Sequence, residues 1–377
     1  MNKKRVLFLT PGLAGGGAEK ALVTLINALD VNKYEVKLLV SSLISTRLKE
    51  MSRAISYEGI SKSMIFGKKT RSNAPDFVAS FCGDFVAHSL LLPSHDVKFL
   101  FRDSLLLTKF LTHNDDESVS VLRIATDYTV NGLAVWKDTI NRTYLKMHTD
   151  CYNKIDYVLA GSKQAADSFS AATGVTENVI TIKNIFDGNK IKQLASEETE
   201  VVKTRFTIGS VGRSHPDKGF DRFLDVCSQL NNEGFDFDVW LVGPEADDNA
   251  LCDKINALQM SNVYLPGYQD NPYKYMQQFD LYVNPAFSEG SPNAPAEAVI
   301  LGIPCVVTDH CGEREIFGDN NEYGLIVENT TDGLYNGLKT MISNKDVYEQ
   351  YKQAVLVRQN VFDQEVILAQ YEELFGQ

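Results

Sequence analysis

The stretch DLYVNPAFSEGSPNAPAEAVILGIPCVVT, residues 280–308, reads as a strand, a loop, a helix and a second strand in direct succession. Leu281 to Asn284 is a short apolar run closed by Pro285, and Ala298 to Leu301 continues a helical pattern that Gly302, Ile303 and Pro304 stop. Cys305 to Thr308 is apolar again. The same alternation recurs through the chain. Strands are expected at Arg5–Thr10, Val36–Val40, Phe77–Phe81, Val97–Phe101, Val121–Ala125 and Tyr157–Ala160. In the second half they are expected at Thr207–Val211, Asp238–Val242, Val263–Pro266, Leu281–Asn284 and Cys305–Thr308. Strands separated by helical stretches in both halves predict an α/β protein of two Rossmann-like, doubly wound domains.

Inside the opening stretch, Glu289 and Glu297 bracket the turn into the helix. Pro295 lacks an N–H, so the helix is expected to begin at Asn293 or Ala294 with Pro295 in its first turn. A loop at the carboxyl end of a parallel strand that feeds a helix N-terminus presents N–H groups and a positive dipole end, which suits a phosphate. Carboxylates beside a phosphate repel it, so neutral hydroxyls of a sugar or ribose are better partners for the two glutamates. The alternative is a helix cap at Glu289 and a solvated face at Glu297.

Upstream, Phe206 to Val211 is an apolar strand that ends in Gly212 and then sets Arg213 and Lys218 across a tight, proline-containing turn. The planar fork of arginine and the mobile charge of lysine together can hold a diphosphate and stabilise it as a leaving group without a metal. A solvated basic loop is the competing reading, and His215 between them reads as an ordinary loop histidine.

At the amino end, strand Arg5–Leu9 leads through Pro11, Gly12, Gly15, Gly16 and Gly17 into an amphipathic helix from about Ala18 to Leu29. Glycines there admit a close ligand or only ease packing. The dinucleotide fingerprint fails: Lys20 stands where its third glycine belongs, and the next strand ends in Ser41 and Ser42 without an acidic residue for a ribose.

These motifs resemble the retaining glycosyltransferases of family 4, the group 1 transferases with the two-lobed GT-B fold. The match extends over Asp280, Asn284-Pro285, Ser288-Glu289-Gly290, Pro292-Asn293-Ala294, Glu297, Gly302-Ile303-Pro304, Thr308-Asp309 and Glu315-Ile316. The resemblance implies two domains facing a central cleft, with Glu289 on the donor sugar, Glu297 on the ribose, and Arg213 and Lys218 on the diphosphate. Gly290, Ser291, Asn293 and Ala294 would complete the donor site, Gly267 and Tyr268 would read the base, and Gly16 and Gly17 would face the cleft. Many relatives carry a histidine after a mid-domain strand of the first lobe. Here the corresponding stretch, Arg123 to Tyr128, has none, and Asp127 is the nearest polar residue to face the sugar or to start a helix or turn.

By this reading residues 1–187 form the acceptor-side domain, 188–204 a linker and 205–345 the nucleotide-sugar domain, while helices over 346–377 cross back to the first domain. The implied reaction moves a hexose or N-acetylhexosamine from a nucleotide diphosphate sugar, a UDP-sugar ahead of a GDP-sugar, without a metal. The acceptor would be a saccharide or polyprenyl-diphosphate-linked oligosaccharide of surface-glycan assembly. A sugar-nucleotide epimerase or a non-catalytic sugar-nucleotide-binding protein are the alternatives.

Composition bounds the rest. A chain of 377 residues, 44% hydrophobic, suffices for two domains with proper cores. Six cysteines without a Cys-x-x-Cys pair, and histidines without zinc spacing, point to a reducing compartment and no structural metal. The amino end reads as a strand rather than a signal peptide, and no apolar run reaches the length of a membrane span. A net charge of −12 argues against nucleic acid. The acidic excess lies in the second half. Lys62, Lys68, Lys69 and Arg71 cluster around Met64, Ile65 and Phe66, and read either as a contact with an anionic membrane or as a solvated loop. The expected location is cytoplasmic, peripheral at the inner membrane face.

Overall fold

The computed structural model describes residues 3–10, 16–40, 56–59, 95–101, 105–112, 117–125, 127–128, 149–201, 203–243 and 249–376. The basic cluster at Lys62, Lys68, Lys69 and Arg71 and the strand expected at Phe77–Phe81 lie outside these residues. The chain divides into two compact units, Met1–Phe186 with Glu365–Gln377, and Asp187–Gln364.

The first unit is built on a seven-stranded sheet: β1 (Lys4–Thr10), β2 (Tyr34–Val40), β3 (Ser56–Gly59), β4 (Val97–Phe101), β5 (Val119–Ile124), β6 (Tyr157–Ala160) and β7 (Val179–Thr181). The spatial order is β3-β2-β1-β4-β5-β6-β7, and every pairing is parallel. Parallel strands covered on both faces read as unbroken apolar runs, which is why Val6 to Leu9 shows no alternation. Val6 and Phe8 enter one core with Leu22, Leu25, Phe99 and Phe101, while Leu7 and Leu9 enter the opposite one with Leu100, Leu122, Tyr152 and Phe169.

The C-terminal helix Gln364–Gly376 belongs to this unit. Its Ile367, Tyr371, Leu374 and Phe375, spaced for one helical face, join the first of those cores. The Tyr371 hydroxyl also accepts from buried Arg123 Nη1 at 2.9 Å. The preceding helix, Lys345–Arg358, stays with the second unit.

The second unit carries a six-stranded parallel sheet: β8 (Thr207–Val211), β9 (Asp238–Val242), β10 (Val263–Gly267), β11 (Leu281–Asn284), β12 (Cys305–Thr308) and β13 (Leu325–Val327), in the order β10-β9-β8-β11-β12-β13. Ile208, Leu281, Val283 and Val306 pack against Phe223, Leu224, Cys227 and Leu338 of the covering helices. Residues 188–204, expected as a linker from their polar composition, instead begin with the helix Gly188–Ala195. Asp187 caps it by accepting from Lys190 N at 2.9 Å, and Ile191 and Ala195 are buried. Among the described residues no helix is long and apolar enough to cross a membrane.

Three strands escaped the sequence reading: β3, β7 and β13. Each is three or four residues long and lies at the edge of its sheet. Edge strands are kept short, so their own pattern carries little signal and only pairing defines them.

Candidate functional site

In the second sheet the chain steps outward from β8 to β10, then returns to pair β11 against β8, so the strand order reverses between β8 and β11. Loops leaving the carboxyl ends of strands at such a switch point form a natural ligand crevice. The loop after β8 carries Arg213 and Lys218; the loop after β11 carries Glu289.

Lys218 closes the short 3-10 turn Pro216–Lys218. His215 caps that turn, its Nδ1 accepting from Asp217 N at 3.3 Å, which accounts for this histidine. Gly219 follows with φ +68°, and a Cβ there would stand 2.0 Å from the Pro285 carbonyl oxygen. Only glycine lets the two loops approach this closely. Phe287 N then donates to Asp217 O at 2.7 Å, and the Lys218 ammonium forms an ion pair with the Glu289 carboxylate. Arg213 is exposed on the same loop as Lys218 and makes no ion pair among the described residues.

The helix Asn293–Ile300 opens with Pro292 at its cap and Pro295 in its first turn. Glycine at position 312 (φ +90°) lets the loop after β12 close on this entrance, because a Cβ would meet Pro292 Cδ at 2.6 Å. Gly290 and Ser291 form the bend before it. Glu297, only 4% exposed, accepts from Tyr273 Oη at 3.0 Å. Tyr273 had no sequence signal, because the helix that carries it, Tyr273–Met276, is a single turn.

Gly212, Gly243 and Gly267 sit at the ends of the adjacent strands β8, β9 and β10. Gly212 N donates to Val242 O and Gly243 N to Gly267 O, both at 3.0 Å. Tyr268 follows, 51% exposed.

Beneath Lys218 and Glu289 lies a buried polar cluster that the sequence did not announce. Asn284 Nδ2 donates to Glu313 Oε1 at 2.7 Å and lies 3.2 Å from His310 Nε2. Nε2 therefore accepts, leaving the His310 proton on Nδ1, 3.3 Å from Cys311 O. Burial lowers the pKa of His310 and keeps it neutral. Burial also lifts the Glu313 carboxyl well above the usual carboxylate range, and the neighbouring Glu289 charge adds to the rise. Burial thus favours the protonated form of Glu313 at the base of the site. A histidine and a glutamate three apart after a strand were its only trace in the sequence.

The remaining expected residues lie in the first unit. Gly16 caps the helix Gly17–Ala28, and a Cβ on it would meet Glu19 Oε2 at 2.4 Å, so the glycine accommodates a buried glutamate of the first turn. Gly17 is the first residue of that helix. Asp127 is buried just beyond β5.

The family profile described as glycosyl transferases group 1 matches residues 191–356, all within the second unit. Over 367 residues the chain is 26% identical to the N-acetylgalactosamine-N,N'-diacetylbacillosaminyl-diphospho-undecaprenol 4-alpha-N-acetylgalactosaminyltransferase of Campylobacter jejuni, covering 93% of each chain. Among solved structures it superposes on a glycosyltransferase from Rickettsia africae with a TM-score of 0.77 at 16% identity, over 100% of this chain and 98% of the other. It superposes on Anabaena HepE in complex with UDP with a TM-score of 0.72 at 18% identity, over 99% of each. The epimerase and non-catalytic readings give way to these matches. With its two parallel α/β sheets the chain has the GT-B fold of these structures, and residues 191–356 of its second unit match the group 1 glycosyltransferases.

Proposed function

We propose that this glycosyltransferase moves a hexose or N-acetylhexosamine from a UDP-sugar to a saccharide carried on a polyprenyl diphosphate, with retention of configuration. The observation that carries the reading is the Lys218–Glu289 ion pair at the β8/β11 switch point, which sets a cation for the diphosphate in contact with a carboxylate for the attached sugar. The UDP and lipid-linked saccharide named for the relatives above agree in chemistry with that pair.

In this reading Arg213 and Lys218 hold the diphosphate and no metal is required. Glu289 accepts from donor-sugar hydroxyls, and Glu297, braced by Tyr273, accepts from the ribose. Gly290, Ser291, Asn293 and Ala294 line the helix entrance, and Gly267 with Tyr268 meets the base. Gly16 and Gly17 are proposed donor-binding residues and Asp127 a proposed catalytic one. The bond from the anomeric carbon to the diphosphate breaks as the acceptor oxygen bonds that carbon, and the acceptor's proton passes to the departing phosphate oxygen on the same face. The protein supplies orientation and charge stabilisation. Lys62, Lys68, Lys69 and Arg71 would approach the anionic inner face of a membrane, where such an acceptor resides.

Nucleotide release from UDP-N-acetylgalactosamine, UDP-N-acetylglucosamine, UDP-glucose and GDP-mannose, with and without a polyprenyl-diphosphate-linked saccharide and with chelator present, tests this. Acceptor-dependent UDP release giving an α-linked product by NMR is expected. Release from GDP-mannose alone, an inverted product or abolition by chelator would each overturn the corresponding part. Loss of flotation on anionic vesicles when the four basic residues become serine tests the membrane contact; unchanged flotation rejects it.

A further inference from the structure

Three consecutive backbone carbonyls that lead into Ser288 and Glu289 are each gripped by a side chain. Arg222 Nε donates to Pro285 O at 2.8 Å, and its Nη2 donates to Ala286 O at 2.7 Å. Thr308 Oγ1 also donates to Ala286 O, at 2.6 Å, and Asn329 Nδ2 donates to Phe287 O at 2.9 Å. Arg222 Nη2 reaches Asn329 Oδ1 at 2.8 Å, so the two grips form one network. The guanidinium also lies 3.8 Å from the centre of the Phe287 ring.

Arg222 is 5% exposed on the helix Phe220–Asn232, and among the described residues it pairs with no carboxylate. Burial lowers its pKa to about 10, which leaves it charged at neutral pH. A buried cation surrounded by neutral groups is costly, and an apolar side chain of similar volume would serve the helix packing better. What arginine alone offers here is a rigid fork of donors that sets the orientation of successive peptide planes.

We propose that Arg222 is a positioning residue for sugar transfer: by fixing the peptide planes of Pro285 and Ala286, together with Asn329 at Phe287, it aims the Glu289 carboxylate at the donor sugar. This rests on the assignment of Glu289 to the sugar hydroxyls. Without the grip the loop relaxes, and a displacement of about 1 Å at a catalytic group costs on the order of 100-fold in rate.

The test compares Arg222→Met, Arg222→Lys, Asn329→Ala, Glu289→Gln and the double variant Arg222→Met/Glu289→Gln. UDP release from UDP-N-acetylgalactosamine and UDP-N-acetylglucosamine gives kcat and donor KM, calorimetry gives the UDP Kd, and circular dichroism gives folding. Arg222→Met is expected to lower kcat by about 30- to 100-fold, with the UDP Kd within about threefold because Arg213 and Lys218 are untouched. Lysine restores only part of kcat, since one ammonium cannot reproduce the fork. Asn329→Ala moves kcat in the same direction by less, and decides the matter if Arg222→Met does not fold. The double variant falls no more than about threefold below Glu289→Gln, as expected of two residues acting through one carboxylate.

A folded Arg222→Met with wild-type kcat, or losses that multiply in the double variant, overturns the inference while leaving the Glu289 assignment intact. Wild-type kcat in Glu289→Gln alone removes that assignment and this inference with it.

Discussion

Lys218 and Glu289, 71 positions apart in the chain, form an ion pair across two loops that leave neighbouring parallel strands. The pair neutralises two groups proposed to bind opposite parts of the donor, so donor binding must exchange the lysine's carboxylate partner for a diphosphate. Removing either group should therefore leave distinct signatures. Lys218→Gln is expected to weaken UDP binding and lower kcat/KM by about 100- to 1,000-fold, the range for a lost electrostatic stabiliser. Glu289→Gln is expected to spare UDP affinity and lower turnover of the UDP-sugar. Calorimetry with UDP beside steady-state kinetics separates the two.

Tyr273 donates to the buried Glu297 at 3.0 Å. Tyr273→Phe removes a hydrogen bond to a carboxylate, a loss of about 1.5–3 kcal/mol. With Glu297 on the ribose, donor KM rises several-fold while kcat changes little. An unchanged KM would place Glu297 away from the nucleotide.

Gly219→Ala meets both a left-handed backbone and the Pro285 carbonyl oxygen at 2.0 Å. Gly174, at φ +77° behind the helix Lys163–Thr173, has nothing within 4 Å of its added Cβ and isolates the backbone cost. The Gly174→Ala variant should lose about 1–2 kcal/mol, and Gly219→Ala more than that together with activity. Urea denaturation of both variants provides the comparison.

Glu313 is fully buried and its folded-state pKa is raised by burial. The unfolded chain releases this proton near pH 4.3, whereas the folded chain keeps it, so above that pH the folded state binds more protons and stability falls as pH rises toward the folded pKa. Glu313→Gln removes this penalty. Its melting temperature should exceed that of the parent by a few degrees at pH 8, and the gap should close near pH 4. A gap independent of pH would contradict a protonated Glu313.

Phe375 of the C-terminal helix is fully buried, its ring centre 5.9 Å from that of Phe99 and 6.2 Å from that of Phe8. Truncation to alanine should cost about 3–5 kcal/mol, while Val366→Ala on the exposed side should stay within about 0.5 kcal/mol. Equal melting temperatures for the two variants would show that this helix does not seal the first core.

Local pattern was enough for the central strands. Val97–Phe101, Tyr157–Ala160, Thr207–Val211, Asp238–Val242, Leu281–Asn284 and Cys305–Thr308 coincide with the sequence boundaries, because a strand buried on both faces must be apolar along its whole length. The helix start at Asn293 was equally legible, since proline confines itself to a first turn. The edge strands β3, β7 and β13 were not, and the polar stretch after Asp187 proved helical because only two of its residues, Ile191 and Ala195, face the interior.

By itself, then, the sequence determined the α/β alternation, the two cationic residues after one strand and the two glutamates around one helix entrance, since each is a matter of residue type at short range. Contacts across large separations were decided by the tertiary structure alone: Lys218 with Glu289, Tyr273 with Glu297, Arg222 with three groups of a loop more than sixty positions away, and Asn284 with His310 and Glu313. The reason is the parallel sheet. Its crossovers bring the carboxyl ends of distant strands side by side, so side chains without any shared local pattern meet at the switch point.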